Sequence, residues 1–152
     1  MNMEPNKIII EELVSIFNQK KFKILIKKLD ELQIKFPNSI FILNLLGAIS
    51  NEENNLEDAI SYFKKIILLN KNFGGAYYNL GVIYKKLNNV AESIRNYTEC
   101  IKINPRKYEA YNNLGNIYRD KNDLEKAVEK YLQCLEINSN YLVALQNFGI
   151  CL

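Results

Sequence analysis

Apolar and small residues recur along the chain with a period of 34 residues. The clearest marker is a glycine behind a large apolar residue: Leu46-Gly47, Leu80-Gly81, Leu114-Gly115 and Phe148-Gly149. With that glycine as position 8, repeats begin at Ile40, Gly74, Tyr108 and Leu142. Position 4 then reads Leu43, Tyr77, Tyr111 and Leu145, and position 11 reads Ser50, Tyr84, Tyr118 and Leu152. Position 20 reads Ala59, Ser93 and Ala127, and position 24 reads Phe63, Tyr97 and Tyr131. Positions 4, 7, 8 and 11 share one face of a first helix, and positions 20, 24, 27 and 28 do so for a second. Small residues at 8 and 20 let the two helices approach closely, and the bulky positions fill the space beside them. Asn54-Asn55, Asn88-Asn89 and Lys121-Asn122-Asp123 mark the turns between helices. Asp123 reads as a helix N-cap, and Pro105 stops the helix before it.

Carried back one period, the register predicts a weaker repeat over 6–39, with helices at about 5–19 and 21–36. Leu13 and Leu25 stand there at the two small positions, so this repeat is read as a degenerate N-terminal cap. Carried forward, 142–152 form the first helix of an incomplete repeat. The organisation is thus one domain over 1–152, with full repeats at 40–73, 74–107 and 108–141.

The segments Ala76-Tyr77-Tyr78-Asn79-Leu80-Gly81-Val82-Ile83-Tyr84 and Ala110-Tyr111-Asn112-Asn113-Leu114-Gly115-Asn116-Ile117-Tyr118 resemble the first-helix signature of the tetratricopeptide repeat family. The resemblance covers nearly the whole chain, most strongly about 40 to 141. It implies an all-α fold, a right-handed superhelical solenoid of antiparallel helix pairs whose first helices line a concave groove. In this family the groove is lined by positions 2, 5, 6, 9, 12 and 13. Position 6 reads Leu45, Asn79, Asn113 and Asn147, and position 5 reads Asn44, Tyr78, Asn112 and Gln146. Asn116 stands at position 9, and Lys85 and Arg119 at position 12.

Asparagine is a poor helix former, so its recurrence in mid-helix needs a reason. An amide carries a donor and an acceptor and can pair with a peptide backbone without reading side chains. The pattern resembles the asparagine ladder in the repeats of O-linked N-acetylglucosamine transferases, where amides hold substrate peptide backbone. The competing reading is that these asparagines pack against the neighbouring helix. The candidate peptide-binding residues are Asn44, Tyr78, Asn79, Lys85, Asn112, Asn113, Asn116, Arg119 and Asn147. The carboxylate-clamp subclass, which binds acidic chaperone tails, has Lys and Arg where this chain has Glu109 and Asn113, and that departure argues against such a ligand.

Composition narrows the function further. The chain has no His, which removes the commonest general base and metal ligand. No nucleophile elbow, phosphate-binding glycine loop or metal-spaced Cys/His cluster is present. We therefore expect no enzyme, no cofactor and no metal. The net charge of +3 carries no basic stripe, and Lys20, Lys21, Lys23, Lys27 and Lys28 read as a solvated cap, so no nucleic acid is expected. No apolar run approaches the ~18 residues of a membrane helix, and no membrane partner is expected. Three cysteines and no signal-peptide pattern suit a reducing, cytoplasmic setting. Cys100 and Cys134 share position 27 and read as core, and Cys151 and the tyrosines at repeat positions are read the same way. The 17 Lys against 3 Arg, with 22 Asn and 20 Ile, point to an AT-rich, low-GC genome.

The function expected is protein–protein interaction, with an extended peptide or partner segment in the groove. The alternatives are the N-terminal substrate-docking region of a larger glycosyltransferase or sulfotransferase, and a self-assembling scaffold. The apolar face of the last helix predicts homo-oligomer contacts through Leu145, Phe148 and Leu152.

Overall fold

The computed structural model describes residues 4–151. Among them the chain forms nine helices and no strand: α1 (Lys7–Asn18), α2 (Phe22–Lys35), α3 (Ile40–Glu52), α4 (Leu56–Leu69), α5 (Gly74–Lys86), α6 (Val90–Ile103), α7 (Tyr108–Asp120), α8 (Leu124–Ile137) and α9 (Leu142–Ile150). The chain divides into two compact units, residues 1–71 with α1–α4 and residues 72–152 with α5–α9. No helix among the described residues is long and apolar enough to cross a membrane.

One turn geometry serves all four hairpins. Lys20, Asn54, Asn88 and Asn122 have φ of 54°, 63°, 56° and 60°. Each lies just past a first helix, and the amides around it bond back in a Schellman pattern. In the second hairpin Asn54 N donates to Asn51 O at 3.3 Å and Asn55 N to Ser50 O at 2.7 Å. Asparagine tolerates this left-handed conformation through its short polar side chain. Lys20 adopts it without that help, and it stands 34 residues before Asn54. Two of the second helices start on side-chain caps: Asn89 Oδ1 accepts from Glu92 N at 3.3 Å and Asp123 Oδ1 from Lys126 N at 3.3 Å, whereas Asn55 at the start of α4 makes no such bond. At α3, Ser39 Oγ accepts from Ile42 N at 3.1 Å and donates to Glu4, whose other carboxylate oxygen takes Ile40 N at 2.8 Å.

The glycines explain the hairpin packing. A Cβ on Gly47 would sit 2.8 Å from the Phe63 ring. On Gly81 it would sit 2.7 Å from Tyr97, and on Gly115 2.5 Å from Tyr131. Position 8 is therefore where the position-24 ring of the same hairpin lies flat on the first helix. Ala59, Ser93 and Ala127 opposite are fully buried, and the Ser93 hydroxyl is satisfied by donating to Gly81 O at 2.7 Å. In the first unit Leu13, Leu25 and Leu29 of α1 and α2 close a core with Ile42, Leu45, Leu46 and Ile49 of α3. In the second, Tyr97 and Cys100 of α6 pack on Ala110, Leu114 and Ile117 of α7.

Not every expected core residue is buried. Tyr97 and Tyr131 are, whereas Tyr77, Tyr84, Tyr111, Tyr118 and Cys151 are half-buried. Each of these four tyrosines keeps part of its ring in solvent, as Cys151 does part of its side chain. Cys100 and Cys134 are buried, and burial pushes both thiols up to about 11, so they act as small apolar side chains. Of the residues expected in self-contacts, Leu145 is exposed, Phe148 is half-buried and Leu152 lies outside the described residues.

Candidate functional site

Most of the candidate groove residues lie in the second unit, on α5, α7 and α9. Side-chain bonds between these first helices bring them together. Asn113 on α7 donates from Nδ2 to the Tyr97 hydroxyl at 3.1 Å and to the Tyr78 hydroxyl on α5 at 3.4 Å. Both N–H bonds of that amide are spent on phenols, so what remains for a ligand is its carbonyl oxygen. Asn147 on α9 donates from Nδ2 to Asn112 Oδ1 at 3.1 Å, and its own Oδ1 accepts from Arg119 at 3.3 Å. Asn116 Oδ1 accepts from the Tyr131 hydroxyl at 2.8 Å.

These bonds sort the expected asparagines. Asn112, expected on the groove wall, is 3% exposed and is a structural link between α7 and α9. Asn116 and Asn147 are half-buried with their carbonyls already engaged. Asn79 differs. It is half-buried on α5, and its side chain makes no hydrogen bond among the described residues. Asn44 is also half-buried and lies on α3 in the first unit.

The groove edge is less cationic than the sequence suggested. Asp120 stands between the two expected cations, 3.8 Å from Lys85 Nζ and 3.1 Å from Arg119 Nη2. It follows Arg119 directly in sequence, and a lysine 35 residues earlier was the available signal for the cross-helix pair. Lys107, which no motif singled out, places its ammonium 4.6 Å from the centroid of the Tyr78 ring and 3.1 Å from Glu109. Burial raises the Tyr78 and Tyr97 phenols, with Lys107 opposing the shift at Tyr78. Both therefore stay protonated at neutral pH and keep their hydrogen bonds to Asn113. Val82, Lys85, Lys86, Tyr97 and Asn113 surround an open hollow of about 370 Å³ beside these groups. Among the described residues no three His, Cys, Asp or Glu side chains gather to hold a metal ion.

Models of the tetratricopeptide repeat match residues 42–73, 75–107 and 108–141, well over half of the chain. The chain belongs to the tetratricopeptide repeat family. It is accordingly a protein–protein interaction module. No curated protein matches its sequence. Among solved structures it resembles the crystal structure of MamA at 25% identity, covering 90% of this chain and 80% of that one with a TM-score of 0.79. It resembles a chain of the APC/C hetero-tetramer Cut9–Hcn1 at 18% identity and TM-score 0.86, covering 94% of this chain and 29% of that one. The first tetratricopeptide repeat domain of Spaghetti (RPAP3), bound to an HSP90 peptide, matches at 19% identity and TM-score 0.70, covering 74% of this chain and 89% of that one. The shared fold is the all-α helix-pair solenoid. None of these structures singles out the O-linked N-acetylglucosamine transferases.

Proposed function

We propose that the second unit holds an extended segment of a partner protein along the face of α5 and α7. The observation that carries this reading is the unspent side-chain amide of Asn79 on α5, together with an Asn113 on α7 whose N–H bonds are already taken. Asn79 offers a donor and an acceptor, as a peptide unit requires, and Asn113 offers an acceptor to the next peptide N–H. The hollow at Val82, Tyr97 and Lys85 then receives one side chain of the segment. Support for a peptide ligand comes from the RPAP3 domain, a neighbour in fold solved with a peptide bound. In this arrangement the asparagine ladder is shortened to two rungs, because Asn112 and Asn147 hold each other.

The test starts from peptides selected from a random phage-displayed library on the immobilised chain. Binding of a selected, fluorescently labelled peptide is then followed by anisotropy. Asn79→Ala removes two hydrogen bonds of about 1 kcal/mol each, so affinity falls about 5- to 30-fold, with no change in thermal midpoint. Methylating the peptide nitrogens abolishes binding, whereas changing side chains outside the hollow has little effect. Selected peptides that bind Asn79→Ala as well as the parent chain refute the assignment.

A further inference from the structure

The hollow lined by Val82, Lys85, Lys86, Tyr97 and Asn113 is one-sided in its chemistry. Tyr97 is 1% exposed, and its hydroxyl oxygen accepts from Asn113 Nδ2 at 3.1 Å. The proton of that hydroxyl meets no acceptor among the described residues, and burial keeps it in place at neutral pH. Lys85 and Lys86 add two ammonium groups, each with three N–H bonds to donate. None of the five residues carries a carboxylate. Asp120 reaches Lys85 only at 3.8 Å, and both side chains are partly exposed, at 38% for Lys85 and 53% for Asp120. The Lys85 ammonium therefore keeps N–H bonds for a second acceptor.

Resting on the assignment of a partner segment to the face of α5 and α7, we propose that the side chain it seats in this hollow is acidic. The carboxylate of an aspartate or glutamate accepts from the Tyr97 hydroxyl and is matched in charge by Lys85 and Lys86. Other occupants fit worse. An aliphatic side chain dries the hollow and leaves the Tyr97 proton without an acceptor, which is the costly way to bury a hydroxyl. A basic side chain meets two like charges. An amide offers the phenol a lone pair, but the one acceptor left for its own N–H bonds is the Asn113 carbonyl, which the segment's backbone takes. The carboxylate comes from a side chain and not from a chain end, because Asn79 and Asn113 hold peptide units that continue past the hollow. The cations also stand at positions 12 and 13 of their repeat, whereas the carboxylate-clamp positions carry Glu109 and Asn113.

Library-selected peptides followed by anisotropy test this. The selected sequences are expected to share one Asp or Glu. Exchanging it for Asn or Gln weakens binding about 10-fold or more, as loss of a hydrogen bond to a charged group does. Amidating the peptide C-terminus changes nothing. Raising NaCl from ~50 to ~500 mM weakens the acidic peptide more than its amide counterpart. In a Lys85→Gln, Lys86→Gln variant, shown to be folded by circular dichroism, the two peptides bind alike. Tyr97→Phe also lowers the preference for the acidic peptide, and the lysine variant decides the matter if that change disturbs folding. The proposal is overturned by selected peptides with no acidic residue in common, by loss of binding on amidation, or by an acid-to-amide exchange that costs nothing in the parent chain or equally much in the lysine variant. Failure of the groove assignment looks different. Asn79→Ala then leaves affinity unchanged, whereas failure here leaves the Asn79→Ala effect intact and removes only the acidic preference.

Discussion

Gly115→Ala tests the packing logic of the hairpins most directly. The added methyl falls 2.5 Å from Cε1 and 2.7 Å from Cδ1 of Tyr131. Carbon atoms rest at about 3.5–4.0 Å, so the ring and α7 must part by about 1 Å. The ring is fully buried, and its hydroxyl donates to Asn116 on the same helix as Gly115. It therefore cannot swing aside without losing that bond. Overpacking of this kind costs about 1–3 kcal/mol, and the hydrogen bond adds about 1 kcal/mol. Alanine's higher helix propensity returns about 1 kcal/mol, leaving a net loss of about 1–3 kcal/mol.

Gly149→Ala has the same propensity benefit and no clash, so α9 is stabilised by up to about 1 kcal/mol. Urea unfolding followed by circular dichroism gives both values. A lower midpoint is expected for Gly115→Ala only. In a Tyr131→Leu background its cost shrinks by about 1 kcal/mol or more, since the two residues share one contact. Equal midpoints for the two alanine variants, or additive effects in the cycle, refute the close-approach account.

The other predictions concern turns, amides and thiols. Lys20 holds φ 54° without glycine's freedom, so Lys20→Gly raises stability by roughly 0.5–1 kcal/mol, read as a higher urea midpoint. Asn113→Ala leaves the buried Tyr97 hydroxyl without its partner and costs about 1–3 kcal/mol. Asn79→Ala, with no partner to lose, stays within about 0.5 kcal/mol of the parent chain in the same assay. Burial raises Cys100 and Cys134 from 9.0 to about 11. An acid whose folded pKa lies above its unfolded value stabilises fully below the unfolded pKa and loses that contribution as pH rises through the folded one. Thermal midpoints are thus flat in this respect up to about pH 9 and fall toward pH 11, less steeply in a Cys100→Ala, Cys134→Ala double variant. Iodoacetamide at pH 8 modifies the half-buried Cys151 first, and reaches the other two only after unfolding.

What could be read along the chain was whatever depends on residues near one another in sequence. Gly81 and Tyr97, or Gly115 and Tyr131, lie 16 residues apart within one hairpin. Helix period and residue size alone put the small one under the large one. The turn at Asn54, Asn88 and Asn122 was legible for the same reason, since its left-handed residue follows from local sterics. At the first hairpin the register placed the break at residue 20, but the lysine there does not advertise the left-handed conformation that it adopts. Likewise the 34-residue period located each first helix and each aromatic that fills it.

Tertiary structure decided which asparagines are spent. Asn79, Asn113 and Asn147 occupy one repeat position and look alike in sequence. Asn113 is held by Tyr97 and Tyr78, Asn147 is divided between Asn112 and Arg119, and Asn79 is left unpaired among the described residues. An amide's partner is chosen over a few tenths of an ångström among groups 16 to 35 residues away. Periodicity specifies the face on which a side chain stands. It does not say whether the neighbouring helix brings a hydroxyl, an amide or nothing within reach. The same distinction separates Gly149 from its three counterparts: identical in register, and different only in whether a ring lies above it.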